Sequence, residues 1–241
     1  MRSLFCLLAL AASLCLSSCR FSMDKRVEGN GNLQRRSYAI TDFTEVHVAG
    51  RMEVYLTQGP EYAVRVEADE NLFDYLELEK DGNELEIGTR RGYNLKPKAG
   101  VKIYVTAPAL EAAELAGSGK IISLSTLSNQ NSFRIGVAGS GDVKVAVNAP
   151  EVKADVAGSG NLILNGQTRE LSVDVAGSGD VKAFDLMTEV TRVDVAGSGN
   201  VEVSVSRELD VDVAGSGNVL YKGSPSIKHN KMGSGTLKKV D

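Results

Sequence analysis

The stretch Val193-Asp194-Val195-Ala196-Gly197-Ser198-Gly199-Asn200-Val201-Glu202-Val203 decides the fold. Apolar and polar residues alternate on both sides of the glycine pair. Period two means a strand with one buried face, so this is strand, tight bend, strand. The bend recurs as Gly117-Ser118-Gly119, Gly139-Ser140-Gly141, Gly158-Ser159-Gly160, Gly177-Ser178-Gly179, Gly197-Ser198-Gly199 and Gly215-Ser216-Gly217, with a last copy at Gly233-Ser234-Gly235. The steps between copies are 22, 19, 19, 20, 18 and 18 residues. Ala precedes six of the seven copies and Met232 the last.

A unit of about 19 residues buries too little apolar surface to stand alone. Stacking units at the strand spacing of ~4.8 Å pairs each backbone with its neighbours and closes a continuous core. The expected fold is therefore all-β: a right-handed parallel β-helix of coils of 18–22 residues, the hand following from the general preference of parallel crossovers. Each coil should read strand, Gly-Ser-Gly corner, strand, polar turn. Proline is expected to stay out of the repeat strands. The alanine before each corner is expected to fit a narrow interior, and the corner serine to bond the next coil through its hydroxyl.

Before residue 110 the pattern is worn. Glu45–Val54 keeps the strand, Ala-Gly, strand order, and Gly29-Asn30-Gly31-Asn32 looks like another corner. Lys80-Asp81-Gly82-Asn83 signals a turn, and Asn71–Leu76 one helical turn. Bulkier side chains gather here, as an irregular β cap over an open solenoid end requires. The organisation expected is 1–18 signal peptide, 19–26 lipidated tether, 27–110 degenerate coils and cap, and 111–241 regular repeat. Residues 27–241 form one domain.

The N-terminus explains the tether. Arg2 precedes a 13-residue apolar run, Leu4–Leu16, too short to span a bilayer and suited to a signal peptide. Leu16-Ser17-Ser18-Cys19 resembles the lipobox of bacterial lipoproteins, which implies that Cys19 carries the lipid. The other cysteines, Cys6 and Cys15, leave with the signal peptide. The processed chain has 26 basic residues against 31 acidic ones, and no basic footprint for nucleic acid.

The run Phe43–Thr57, then Gln58-Gly59-Pro60-Glu61-Tyr62 and Ala68-Asp69-Glu70-Asn71-Leu72, followed by serial Ala-Gly-Ser-Gly, resembles the DUF2807 family, the "putative auto-transporter adhesin head GIN domain". The resemblance covers roughly residues 27–236. It implies a β-helix in an envelope protein of the Bacteroidetes type, and it carries over no catalytic residue.

Catalytic motifs are missing from the sequence. The glycine clusters are followed by alternating strands, not by the helix a phosphate loop needs. Their period is twice that of calcium-binding nonapeptides. His47 and His229 are expected to be solvated. Stacking should place Asp155, Asp174, Asp194 and Asp212 in one column, ~5 Å apart. That column is a solvated face helped by Lys153 and Arg192, or else a ligand or Ca²⁺ ladder. A second column, Asp142, Asn161, Asp180, Asn200 and Asn218, alternates charge with amide and reads as structural. No other cofactor or metal is expected.

The functional expectation is a non-catalytic lipoprotein of the cell envelope, held by its lipid at the outer membrane, on the periplasmic face or the cell surface, that binds a ligand such as an extracellular glycan or protein. A self-assembling structural protein is the alternative, and a polysaccharide lyase or hydrolase of the pectin-lyase-like fold ranks below it. Oligomeric state is left open.

Overall fold

The computed structural model describes residues 24–241. The signal-peptide reading and Cys19 lie outside the described residues. The chain enters through strands β1 (Lys25–Glu28), β2 (Leu33–Tyr38), β3 (Glu45–Gly50), β4 (Glu53–Gln58) and β5 (Ala63–Asp69). A 3-10 turn (Glu70–Tyr75) leads to β6 (Leu76–Asp81), β7 (Glu84–Thr89), β8 (Tyr93–Lys96) and β9 (Lys102–Ala107). The repeats supply β10 (Ala112–Gly117), β11 (Lys120–Ser128), β12 (Ser132–Gly139), β13 (Asp142–Gly158), β14 (Asn161–Gly177), β15 (Asp180–Gly197) and β16 (Asn200–Gly215). The chain closes with β17 (Asn218–Gly223), β18 (Ser226–Gly233) and β19 (Thr236–Lys239).

Two parallel ladders make the solenoid. One runs β7, β3, β10, β12, the C-terminal halves of β13 to β16, and β18. The other runs β9, β4, β11, the N-terminal halves of β13 to β16, β17 and β19. The Gly-Ser-Gly corner carries the chain from the first ladder to the second. Inside, alternate residues stack on their own kind. Val48, Leu115, Val137, Val156, Val175, Val195 and Val213 form one buried column. Each such side chain contributes ~1.5–3 kcal/mol on burial, and β-branched residues suit the pleat.

The corner differs from its expected form in three respects. The alanines point outward: Ala138, Ala157, Ala176, Ala196 and Ala214 are exposed. The second glycine of each copy is the buried one, as at Gly160, where an added Cβ would lie 2.6 Å from the Gly141 carbonyl oxygen. The narrow interior is thus met by a glycine backbone. The first glycine takes positive φ, as at Gly158 (+116°). The serine hydroxyls are exposed, and the coil-to-coil bond is made by the serine amide, as in Ser159 N to Gly139 O at 2.8 Å.

The expected polar turn is also replaced. β13 to β16 run around the opposite corner as continuous strands, with short gaps and shifts in their pairing. The chain bends where the alternation slips and two successive side chains stay out of the core, at Pro150–Glu151 and Arg169–Glu170. Proline therefore does enter a repeat strand. Pro150 has no N–H to donate, and the bend is where a missing donor costs least. Thr168 Oγ1 donates to the Pro150 carbonyl at 3.2 Å.

The N-terminal coils are not stacked in sequence order. β3–β4 lies between β10–β11 on one side and the later β7 and β9 on the other. Antiparallel strands then end each ladder: β6 on β7, and β5 followed by β2 on β9. The 3-10 turn links β5 to β6 across that end and plugs it with buried Leu72 and Phe73. Gly29–Asn32 is no corner; its strand runs antiparallel, and Gly31 N donates to buried Asp69 at 2.7 Å. β1 begins within the stretch read as a tether and pairs in parallel with β8. The far end closes with exposed β18 and lysine-rich β19.

Candidate functional site

The outward face of the first ladder carries the expected column. Asp155, Asp174, Asp194 and Asp212 are partners in strict register. The column goes further than the repeat motif shows. It ends on Asn230 at one side, and continues through Gly136, Glu114, His47 and Glu86 at the other. Beside it runs a column of outward alanines, from Ala49 and Ala116 to Ala214. Ala is the smallest side chain with a Cβ, so this strip forms a floor below the flanking carboxylates. The cap supplies a wall at one end through Glu77, Arg91, Tyr93 and Leu95. Together they enclose a groove of about 1280 Å³ along the coils.

The two halves of the acidic column differ in compensation. Arg192 Nε donates to Asp194 Oδ2 at 2.8 Å, and its Nη2 lies 3.8 Å from Asp212. Asn230 Nδ2 donates to Asp212 Oδ1 at 2.8 Å. Asp155 and Asp174 have no such partner among the described residues. Lys153, expected to serve this column, lies 3.2 Å from Glu151. Burial and then the Glu114 charge push the Asp155 carboxyl above its usual range, against the opposing pull of Lys153. Burial, then Asp155 and Asp194, push Asp174 up, against Arg192.

The second polar column is a hydrogen-bonded ladder. Asn161 Nδ2 donates to Asp142 Oδ1 at 2.9 Å, Asn200 Nδ2 to Asp180 Oδ1 at 2.9 Å, and Asn218 Nδ2 to Asn200 Oδ1 at 3.0 Å. Alternation of amide and carboxylate lets donors meet acceptors. This column faces the second ladder and lies outside the groove.

His47 stands at the Asp position of its coil, as its place in the sequence implies, yet it is not the solvated residue expected. It is half-buried, with Glu45 Oε2 3.6 Å from Nε2, and Glu84 and Glu114 at 4.0 and 3.9 Å from Nδ1. Glu45 is buried, which pushes its carboxyl up; Arg134 at 2.7 Å and the Asn83 amide at 3.0 Å outweigh that and hold it below the usual range. Sequence reading missed this group because β7 and β3 pair out of chain order. The one available signal was Glu-x-His at 45–47 and Glu-x-Glu at 84–86, each putting two polar side chains on one strand face. His229 is exposed on β18.

No curated protein matches this sequence at a significant level. Solved structures similar to it include the following. A "putative adhesin" from Bacteroides fragilis superposes with a TM-score of 0.83 at 21% identity, over 89% of this chain and 100% of that one. A "putative lipid binding protein" from Parabacteroides distasonis gives 0.75 at 31% identity, over 90% and 100%. A "putative adhesin" from Parabacteroides merdae gives 0.70 at 21%, over 90% and 100%. The family model described as "Putative auto-transporter adhesin, head GIN domain" matches residues 42–225, and the chain belongs to this family, DUF2807.

Proposed function

We propose that this protein is a non-catalytic adhesion module of the cell envelope, held by a lipid on Cys19, which binds a glycan along the groove. The observation that carries the reading is the groove itself: a long strip of outward alanines beside in-register carboxylates, two of which have no cationic partner at bonding distance. Burial and neighbouring carboxylates oppose charge on Asp155 and Asp174, yet aspartate stands there in four successive copies where the neighbouring column alternates with asparagine. Carboxylates at the strand spacing accept pairs of sugar hydroxyls, and the alanine floor lets a ring lie flat. Family membership supports the adhesion part of the reading. Ca²⁺ bridging the open carboxylates to sugar hydroxyls is part of the same proposal.

The test is a glycan array followed by calorimetry on the full chain. Asp155→Asn with Asp174→Asn, and separately Ala157→Leu with Ala176→Leu, should each weaken a positive glycan at least tenfold. Affinity indifferent to both pairs of changes overturns the groove. Loss of binding in chelator assigns the Ca²⁺; unchanged binding removes it. Release of reducing ends during incubation makes the protein an enzyme. Antibody labelling of intact cells supports the adhesin role, and protection until lysis sinks it.

A second reading rests on the apolar strip. The relative named as lipid binding is 31% identical over nearly the whole chain, and an acyl chain also fits an alanine floor. Binding of phospholipid in place of glycan, lost in the leucine pair but kept in the asparagine pair, selects it.

A further inference from the structure

We propose that Glu45, His47 and Glu84, completed by Glu114 or water, form a site for a divalent transition-metal ion, with zinc the best match. The ligand atoms of the first three lie within 4.8 Å of one another. They come from two adjacent strands in fixed register, Glu84 opposite Glu45 and His47 opposite Glu86, while Glu114 stands opposite His47 on the third strand. Residues i and i+2 of a strand share a face, so Glu45 and His47 project together. This places donors on a rigid sheet, at the seam between the cap and the repeat coils.

Three observations point to an ion. His47 Nε2 is buried and has no hydrogen-bond partner, although a carboxylate oxygen stands 3.6 Å away. Buried ring nitrogens are normally satisfied; this one faces Glu45, while Nδ1 of the same ring faces Glu84 and Glu114. The Glu45 side chain is only 9% exposed and is gripped from outside by Arg134 and Asn83. That is the kind of outer contact that fixes a coordinating carboxylate. Finally, three carboxylates surround the His47 ring and only Glu45 is paired with a guanidinium, which leaves Glu84 and Glu114 as two negative charges for one divalent ion to neutralise. Metal-bound donors sit closer together than 3.6–4.0 Å, so binding draws these side chains inward by rotamer adjustment.

The donor set decides the class of ion. One imidazole nitrogen with carboxylate oxygens suits Zn²⁺, while oxygen-only sets suit Ca²⁺ and Mg²⁺. A bound ion would staple β7 of the cap to β3 and β10. His47 and Glu114 also line the groove, so an open coordination position would face it. The site does not depend on the glycan reading.

The test is a Zn²⁺ titration of tag-free full chain by calorimetry at neutral pH, with Co²⁺ absorption as a spectroscopic readout. One equivalent should bind, and its binding should raise the unfolding temperature. His47→Gln should weaken binding at least tenfold and abolish the Co²⁺ d–d bands, and Glu84→Gln should weaken it severalfold. His229→Gln and Asp174→Asn should leave it unchanged. Absence of a one-equivalent site in a folded protein overturns the proposal. So does binding that survives His47→Gln or is lost in His229→Gln. Repeating the glycan measurement with Glu84→Gln, a residue outside the groove lining, separates the two sites: groove affinity retained while zinc binding falls shows that they stand independently.

Discussion

Each coil turns twice, and the two corners are built on opposite terms. At the Gly-Ser-Gly corner every copy is in register with the last, and serine amides bond the glycine carbonyls one coil back, Ser178 to Gly158 and Ser198 to Gly177 at 2.8 Å each. All the register shifts in the parallel ladders fall on the other half, at Ile122/Thr126, Ile163/Asn165, Ala183/Met187 and Thr188/Val190. The difference in coil length is absorbed there. Backbones at the glycine corner approach too closely for a Cβ, so sequence is fixed. At the far corner many side chains point to solvent, and buried threonines such as Thr168 and Thr188 satisfy the bend, so composition and length vary more freely. In the longest step, residues 123–125 bulge outward, and the hydroxyls of Ser123 and Ser125 accept from Ala146 N and Gln58 N.

The largest effect should come from breaking the close approach. In Gly160→Ala the new methyl would meet the Gly141 carbonyl oxygen and the Val137 side chain, both held by the neighbouring coil. Overpacking against backbone costs about 3 kcal/mol or more, measurable by urea denaturation. The contrasting change at the apex, Ser159→Ala, removes only an exposed hydroxyl and should stay within about 0.5 kcal/mol. Equal losses from the two would mean that the corner is limited by serine chemistry and not by space.

Next in size is the amide ladder just past that corner. Asn161→Asp exchanges the donor to Asp142 for a like charge and should cost about 1–2 kcal/mol at neutral pH. The loss should fade in acid as the carboxylates take up protons, which a pH series of unfolding midpoints would show. A loss independent of pH would assign the effect to shape instead of charge.

Asp174→Asn tests the groove column. Burial and the flanking Asp155 and Asp194 charges raise the Asp174 carboxyl in the fold, so its ionisation opposes folding. Its favourable contribution is complete below the unfolded carboxyl range and is lost as pH rises through the folded value. The substitution should therefore stabilise the protein at pH 7, by only a few tenths of a kcal/mol because solvent screens the exposed carboxylate. The gap should close as pH falls through the ordinary aspartate range. Destabilisation at pH 7 would mean that the column is structural.

These contrasts also mark what the sequence disclosed. The corner glycines and the two polar columns were readable because each repeats locally, whereas the worn N-terminal strands gave no sign of their stacking order. The alanines were misplaced because period two gives the alternation but not its phase at a bend. In the folded coil it is Gly160, and not Ala157, that meets the interior. The Glu45–His47–Glu84 group was hidden for another reason. Its partners are neighbours only because the coil of β7 and β9 stacks outside β3–β4, and chain order gives no hint of that.

The smallest effect is expected at the far corner, where the comparison is most easily broken. Gln167 is exposed, and its one side-chain bond, to Asn148 Oδ1, is 3.3 Å long. Gln167→Ala should change stability by no more than about 0.5 kcal/mol. A stricter version inserts one serine after Arg207, in an exposed stretch next to an existing register shift. Loop closure rises slowly with length, so this should cost less than about 1 kcal/mol. The same serine inserted after Ser198 would throw the ladder out of phase and send a buried column to the surface. If both insertions unfold the protein alike, the far corner is as constrained as the glycine corner, and its varied sequence must encode a fit that register alone does not reveal.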